Sequence, residues 1–327
     1  MDKSETNIQD LPLDVTRSIL YLLDDISLAN ACSADKNFNK KICNDTFWIN
    51  KLVNKYPLTI EEINEYKKNN TYWGYYSGLD TQIKRFTFGN KILWDTLLLR
   101  ASDHGSLDLV KIAVRNGADV HYQFDQPLIL AVNNGHTDIV KFLTDSGADV
   151  HTSRDYPLVL ASMKGYADIV RYLIEKGLNV HTDGDSPLVR ASEEGHIDIV
   201  RLLLENGADV HGSADAALLS ATRKEHTEIV RLLLENGADI HTIRDLSLRM
   251  ASRSNNVPLV RLLLENGADV HANNDEALRD AATMGHTEMV KLLLENGADA
   301  NNVQAYNRAL NRGHTDIVDL LLQYRNI

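Results

Sequence analysis

Apolar and polar positions in the last two thirds of the chain follow one pattern that returns at a fixed interval. Its fullest copy is Asp198-Ile-Val-Arg-Leu-Leu-Leu-Glu-Asn-Gly-Ala-Asp-Val-His211. The glycine that closes it recurs at Gly117, Gly147, Gly177, Gly207, Gly237, Gly267 and Gly297, every 30 residues. A fixed period of this size marks stacked units, none of which can bury its apolar face alone. Within a unit, a first helix is predicted from Pro187 to Glu194, with a turn at Gly195 and with Asp185 placed to cap it ahead of Ser186-Pro187. A second helix carries Ile199, Val200, Leu202, Leu203 and Leu204. These five spread over more than half the helical circumference, as in a helix packed between neighbours on both sides. Gly207 can take the left-handed conformation that ends it.

Upstream the periodicity stops. A polar lead (1–8) precedes a segment in which Val15, Ile19, Leu20, Leu22 and Leu23 fall at helical spacing. Ser27 can then cap a helix with Leu28, Ala31 and Cys32, Asp35 one with Phe38 and Ile42, and Asp45 or Thr46 one with Phe47, Trp48, Leu52 and Val53. The prediction is a small helical bundle over 9–54, with too little core to be very stable alone. Residues 55–92 form a helical connector. Thr59-Ile-Glu-Glu62 is a capping box for a helix through about Lys68, and the cluster Tyr66, Tyr72, Trp73, Tyr75 and Tyr76 follows. Interleaved with Lys67, Lys68, Lys84 and Arg85, these rings could stack on bases. A connector that must lock two domains together needs the same rings as core, and that reading is preferred.

Composition narrows the function. The net charge is -12, from 34 Lys and Arg against 46 Asp and Glu, which argues against a general nucleic-acid binder, although local basic patches remain compatible with it. Cys32 and Cys43 lie in no metal-binding or redox spacing and fit a reducing compartment. The polar start and the lack of a long apolar run predict neither secretion nor a membrane span, so a cytoplasmic location is expected. A ladder of histidines, His121, His151, His181, His211, His241 and His271, invites a metal reading. Packed helices stand about 8–10 Å apart, whereas nitrogens sharing one zinc each lie about 2.1 Å from it. A loop histidine bonded to the next unit's backbone is therefore preferred. No nucleophile elbow, phosphate-binding glycine loop or His-Glu-x-x-His is present, and the carboxylates recur with the repeat as caps and solvated faces. No cofactor, no metal and no enzymatic activity are expected.

Pro-Leu-x-x-Ala-x-x-x-Gly-His, then Ile-Val-x-Leu-Leu-Leu, then Gly-Ala-Asp, resembles the ankyrin repeat over about 93–327, in eight units. The resemblance implies an all-α solenoid that binds other proteins on its concave face. Three residues are missing relative to the usual period of about 33. They fall between Asp149 and Pro157, so the hairpin is expected to be stunted. The family's Thr-Pro-Leu-His has lost its Thr (Gln126, Tyr156, Ser186) and its His (Ile129, Val159, Val189). The Asp at 125, 155, 185, 215, 245 and 275 is expected to take over capping. His136, His196, His226, His286 and His314 match the family's packing histidine. Glu225 and Asn255 replace the turn glycine, and the Glu marks a soft joint. The last unit carries Asp319 and Gln323, as a terminal cap requires.

Leu11-Pro12, Ile19-Leu20, Leu23-Asp24, Leu28, Phe38, Ile42 and Phe47-Trp48 resemble the F-box, the module that docks on the Skp-type adaptor of cullin-RING ubiquitin ligases. That resemblance implies that Leu11, Pro12, Leu20, Leu23 and Leu28 face the adaptor. Thirty-residue units behind such a start look most like the ankyrin families of giant DNA viruses, which would place the protein in host cytoplasm. It is then a substrate-recruiting subunit, monomeric outside the ligase, or alternatively an interaction scaffold capped by its N-terminal bundle. Target contacts are sought where the frame fails to repeat. Tyr122, Phe124, Tyr156, Leu160, Met163, Arg190, Arg223 and Arg253 suggest an apolar early half and a basic middle, suited to an acidic, partly apolar protein surface.

Overall fold

Each second helix is built by its Ile-Val-x-Leu-Leu-Leu run. In the copy at 197–205, Ile199, Val200 and Leu203 are 0–1% exposed while Leu202 and Leu204 are half-buried. Burying each such side chain contributes about 1.5–3 kcal/mol, so the apolar stripe, not intrinsic propensity, holds so short a helix. Its C-terminus is a full Schellman arrangement. Gly207 sits at φ +86, the Ala208 amide donates to the Leu203 carbonyl and the Gly207 amide to that of Leu204, each at 3.0 Å. The Asn206 side-chain amide donates to the Leu202 carbonyl at 2.8 Å. Three orphan carbonyls are thereby satisfied.

The structure, a computed structural model, describes Gly78, Ile83, 87–88, 91–92 and 94–325. The predicted bundle over 9–54 and most of the connector lie outside the described residues. The chain divides into two compact units, Met1–Ala148 and Asp149–Ile327. In the first, β1 (Thr87–Phe88) and β2 (Lys91–Ile92) pair antiparallel, Thr87 opposite Ile92 and Phe88 opposite Lys91. The connector predicted as helical therefore carries a strand pair, and Gly89-Asn90 between the strands is a dipeptide that favours hairpins. Two helix pairs follow, α1 (Trp94–His104) with α2 (Leu107–Arg115), and α3 (Tyr122–Asn133) with α4 (Thr137–Asp145).

The second unit holds six pairs. They are α5 (Thr152–Lys164) and α6 (Ala167–Glu175), α7 (Thr182–Glu194) and α8 (Ile197–Glu205), α9 (Gly212–Arg223) and α10 (Thr227–Glu235), α11 (Thr242–Arg253) and α12 (Val257–Glu265), α13 (Ala272–Met284) and α14 (Thr287–Glu295), and α15 (Val303–Arg312) and α16 (Thr315–Tyr324). Within the unit, odd-numbered helices pack on odd and even on even, each against its immediate neighbours. Outside β1 and β2, the described residues contain no strand.

In place of the expected stunted hairpin, six of the seven connections between repeats are one left-handed turn; the last instead caps α15 with Asn302, at φ -60. Ser153, Arg154 and Asp155 stand at φ 52, 60 and 60, and the triplets ending at Asp125, Asp185, Asp215, Asp245 and Asp275 do the same. L-residues pay about 1–2 kcal/mol each in this region, so something must hold the turn. That is the aspartate, which does not cap the first helix as expected. Asp185, 5% exposed, accepts from His181 Nδ1 at 3.0 Å and from the Asp209 amide of the next repeat at 2.7 Å. Asp215 accepts from His211, from the Asp239 amide and, on its other oxygen, from the Thr242 hydroxyl, at 3.1, 2.8 and 2.8 Å. Asp245 and Asp275 repeat the bonds from the histidine and from the next repeat's amide. The ladder histidines thus bond their own aspartate four residues on and not the next unit's backbone. The aspartate makes the link between repeats. A buried carboxylate on charge-assisted hydrogen bonds is worth more than neutral contacts, which offsets part of the backbone cost.

The second link between repeats comes from the Gly-His histidines. His196 Nε2 meets the Met163 carbonyl and His226 Nε2 the Glu193 carbonyl, each at 3.1 Å. At a glycine the ring closes in: a Cβ on Gly165 would come within 2.6 Å of His196. Glu225, at φ 63, already carries a Cβ, and the residue facing it is Asn256, whose amide donates to the Glu225 carboxylate at 3.0 Å. The expected soft joint is therefore braced. Asp319 and Gln323 on α16 are exposed as expected, but Leu310 and Leu322 also remain 52% and 40% exposed on the last pair.

Candidate partner-binding surface

Burial along a first helix follows its repeated residues. In α7, Pro187, Leu188, Ala191 and Ser192 are buried, which leaves Arg190 and Glu194 exposed and Val189 and Glu193 half-buried. These unrepeated positions, together with the left-handed turns, form the open face of the odd-numbered helices.

The predicted contact residues distribute unevenly over it. Tyr122 (half-buried) and Phe124 (88% exposed) belong to the first unit. Tyr156, Met163, Arg190, Arg223 and Arg253 are open or half-open in the second. Leu160 is 3% exposed, so it serves the core between helices and is closed to a partner. Leu11, Pro12, Leu20, Leu23 and Leu28 lie outside the described residues.

The basic middle is largely neutralised. Glu193 accepts from Arg190 at 2.8 Å and from Arg223 of the next repeat at 2.9 Å. Arg190's hydrogen bond, against an opposing effect of burial and with help from the charges of Arg190, Arg223 and Lys224, holds the Glu193 carboxyl below the usual glutamate range. Farther along, Arg249 of α11 approaches Glu276 of α13 at 2.5 Å and Arg308 of α15 approaches Asp280 of α13 at 3.5 Å. Arg253 makes no ion pair among the described residues.

Two depressions open on this face. One, of about 180 Å³, lies between α7 and α9, where Gly184, Ser213, Ala216 and Ser220 leave space and Arg190, Glu193 and Arg223 form one wall. The run of small residues Gly212-Ser-Ala-Asp-Ala-Ala217 announces it in the sequence, although sequence reasoning passed it over. The other, of about 280 Å³, is lined by Thr222, Arg223, Met250, Arg253, Ser254 and Met284. Met250 of α11 and Met284 of α13 meet there through the packing of α11 on α13.

Among the described residues no cluster of three or more His, Cys, Asp and Glu is placed to hold a metal, and no helix is long and apolar enough to cross a membrane. No curated protein matches the chain. The family described as ankyrin repeats (3 copies) matches residues 78–154, 150–214 and 248–327, and that described as ankyrin repeat matches 214–246.

Proposed function

The chain belongs to the ankyrin repeat family, and from that premise we propose that it binds a target protein on the open face of α5, α7, α9, α11 and α13, performing no catalysis itself. Proteins of this family are typically non-enzymatic interaction scaffolds. The observation that carries the reading is the division of labour within each repeat. Leucines, glycines, aspartates and histidines are spent on the frame, while the residues that differ between copies stand open around two depressions. Exposed Arg side chains beside a depression are what anchors of protein interfaces look like. Reversing the charges of Arg190, Arg223 and Arg253 together is expected to abolish capture of the target in cross-linking experiments while the thermal melt stays cooperative. Unchanged capture by the folded variant would sink the proposal.

A finer reading adds the segment ahead of the array. The F-box-like pattern of 9–54 makes the chain a recruiting subunit of a Skp/cullin-type ubiquitin ligase in the cytoplasm, of a host cell if the protein is viral, with ubiquitin transfer done by other subunits. Its support is the sequence pattern alone. Co-purification with a Skp-type adaptor, lost in a Leu11, Pro12 and Leu20 triple alanine variant, is the expected result. No association in either form leaves the scaffold reading in place and removes this one.

A further inference from the structure

Resting on the reading that the open face binds a protein, we infer that the cleft between Met250 and Met284 takes an acidic segment of the target. One aliphatic or aromatic side chain inserts between the methionines, and carboxylates sit on Arg223 and Arg253.

The cleft's own chemistry selects this occupant. Six residues line it, two of them Met and two Arg, and none carries a carboxylate. Arg253 is exposed and has no ion-pair partner among the described residues. Arg223 gives one terminal nitrogen to Glu193, and a guanidinium has five N–H donors, so it retains donors for a second carboxylate. Arginine forks match carboxylates in two-point geometry. Between the cations, Met250 is half-buried and Met284 is 52% exposed. Unbranched, polarizable thioethers mould themselves around an apolar guest. The volume, about 280 Å³, is at the small end of ligand pockets, and its place on an open helix face suits side chains of a segment laid across it. The chain's charge of -12 repels acidic molecules elsewhere, so an acidic segment gains most at a cleft whose lining holds two arginines, one of them unpaired among the described residues, and no carboxylate. The depression between α7 and α9 differs, because Asp183 and Glu193 line it beside its arginines.

The test is fluorescence anisotropy on the full chain with a labelled short peptide of alternating Asp and Leu. Companion probes replace Leu by Ser or Asp by Lys, and a labelled oligothymidine supplies phosphate charge without the apolar anchor. Binding of the Asp-Leu peptide is expected, with both companions and the oligothymidine at least about tenfold weaker, the scale of one lost anchor. The double variant Arg253→Glu with Met284→Ser alters two exposed side chains and should weaken the peptide by a further tenfold or so. Arg171→Glu with Arg201→Glu, exposed on α6 and α8 and away from the open face, should leave it unchanged. Equal binding of the Ser companion, tighter binding of oligothymidine, or indifference to the Arg253 and Met284 changes would each overturn the assignment. If the peptide fails to bind while target capture still depends on Arg190, Arg223 and Arg253, the occupant is wrong and the protein-binding reading stands. If capture is also indifferent, both fall.

Discussion

At the scale of single residues, the left-handed triplets concentrate the strain. Asn273, Asn274 and Gly184 suit that region, since Asn bonds locally and Gly has no Cβ. Ile243 does not: it stands at φ 50 and is 58% exposed, a β-branched residue where such residues are outliers. Ile243→Gly should raise stability by about 1 kcal/mol, read as a higher urea midpoint with an unchanged slope. A lower midpoint would show that the side chain contributes more than its backbone costs. Glu193 offers a test of electrostatics at the same scale. Its folded pKa lies below its unfolded value, so its contribution is complete above the ordinary glutamate range, about pH 4.3, and is lost as pH falls through the lower folded value. Arg190's hydrogen bond is the largest cause. Arg190→Gln should therefore raise the Glu193 pKa more than Arg223→Gln does, as followed by carboxyl chemical shifts against pH. The reverse order would mean that Arg223 is the principal partner.

At the scale of elements, the junctions between repeats show a compensation within one sequence. Where a glycine ends the first helix, as at Gly165 and Gly195, a histidine ring of the next repeat lies against it. Where Glu225 stands, the next repeat has Asn256, which bonds the Glu and also caps α12 by accepting from the Leu259 amide at 3.0 Å. Asn255 keeps a histidine opposite, but His286, half-buried, reaches the Arg253 carbonyl only at 3.3 Å. Restoring the histidine alone, Asn256→His, puts a ring against a Cβ and removes a cap, costs of about 1–3 and about 1 kcal/mol. With Glu225→Gly added, the ring gains its seat, so the double variant should recover most of that loss. A double-mutant cycle in urea reads the coupling. Additive single effects would show that the two positions do not share a site.

At the scale of the whole molecule, what could be read from sequence and what could not separate by distance along the chain. The helix pairs, the glycine at +86 in Gly207 and the burial of Ile199, Val200 and Leu203 follow from spacing inside one repeat, and there expectation and structure agree. The left-handed turn was hidden because nothing in Ser153-Arg154-Asp155 prefers it. It is imposed by a connection too short for a hairpin and held by bonds 24 residues away, such as that from the Asp209 amide to Asp185. The pairing of Arg223 with Glu193 spans 30 residues, so a count of charges along the helices misreads the face until neighbouring helices are laid side by side. The same neighbour-only packing governs how the second unit unfolds. Because α9 and α10 pack on the helices before and after them and not beyond, stability should behave as a sum of repeat and interface contributions. Leu233, fully buried in α10, is the place to test this. Leu233→Ala should cost about 2–5 kcal/mol locally, and native-state hydrogen exchange should show protection falling most in α7 to α12. The amides of α5, α6, α15 and α16 should change least. A uniform fall across α5 to α16 would mean that the unit opens only as a whole, and that the links through aspartate and histidine carry cooperativity from end to end.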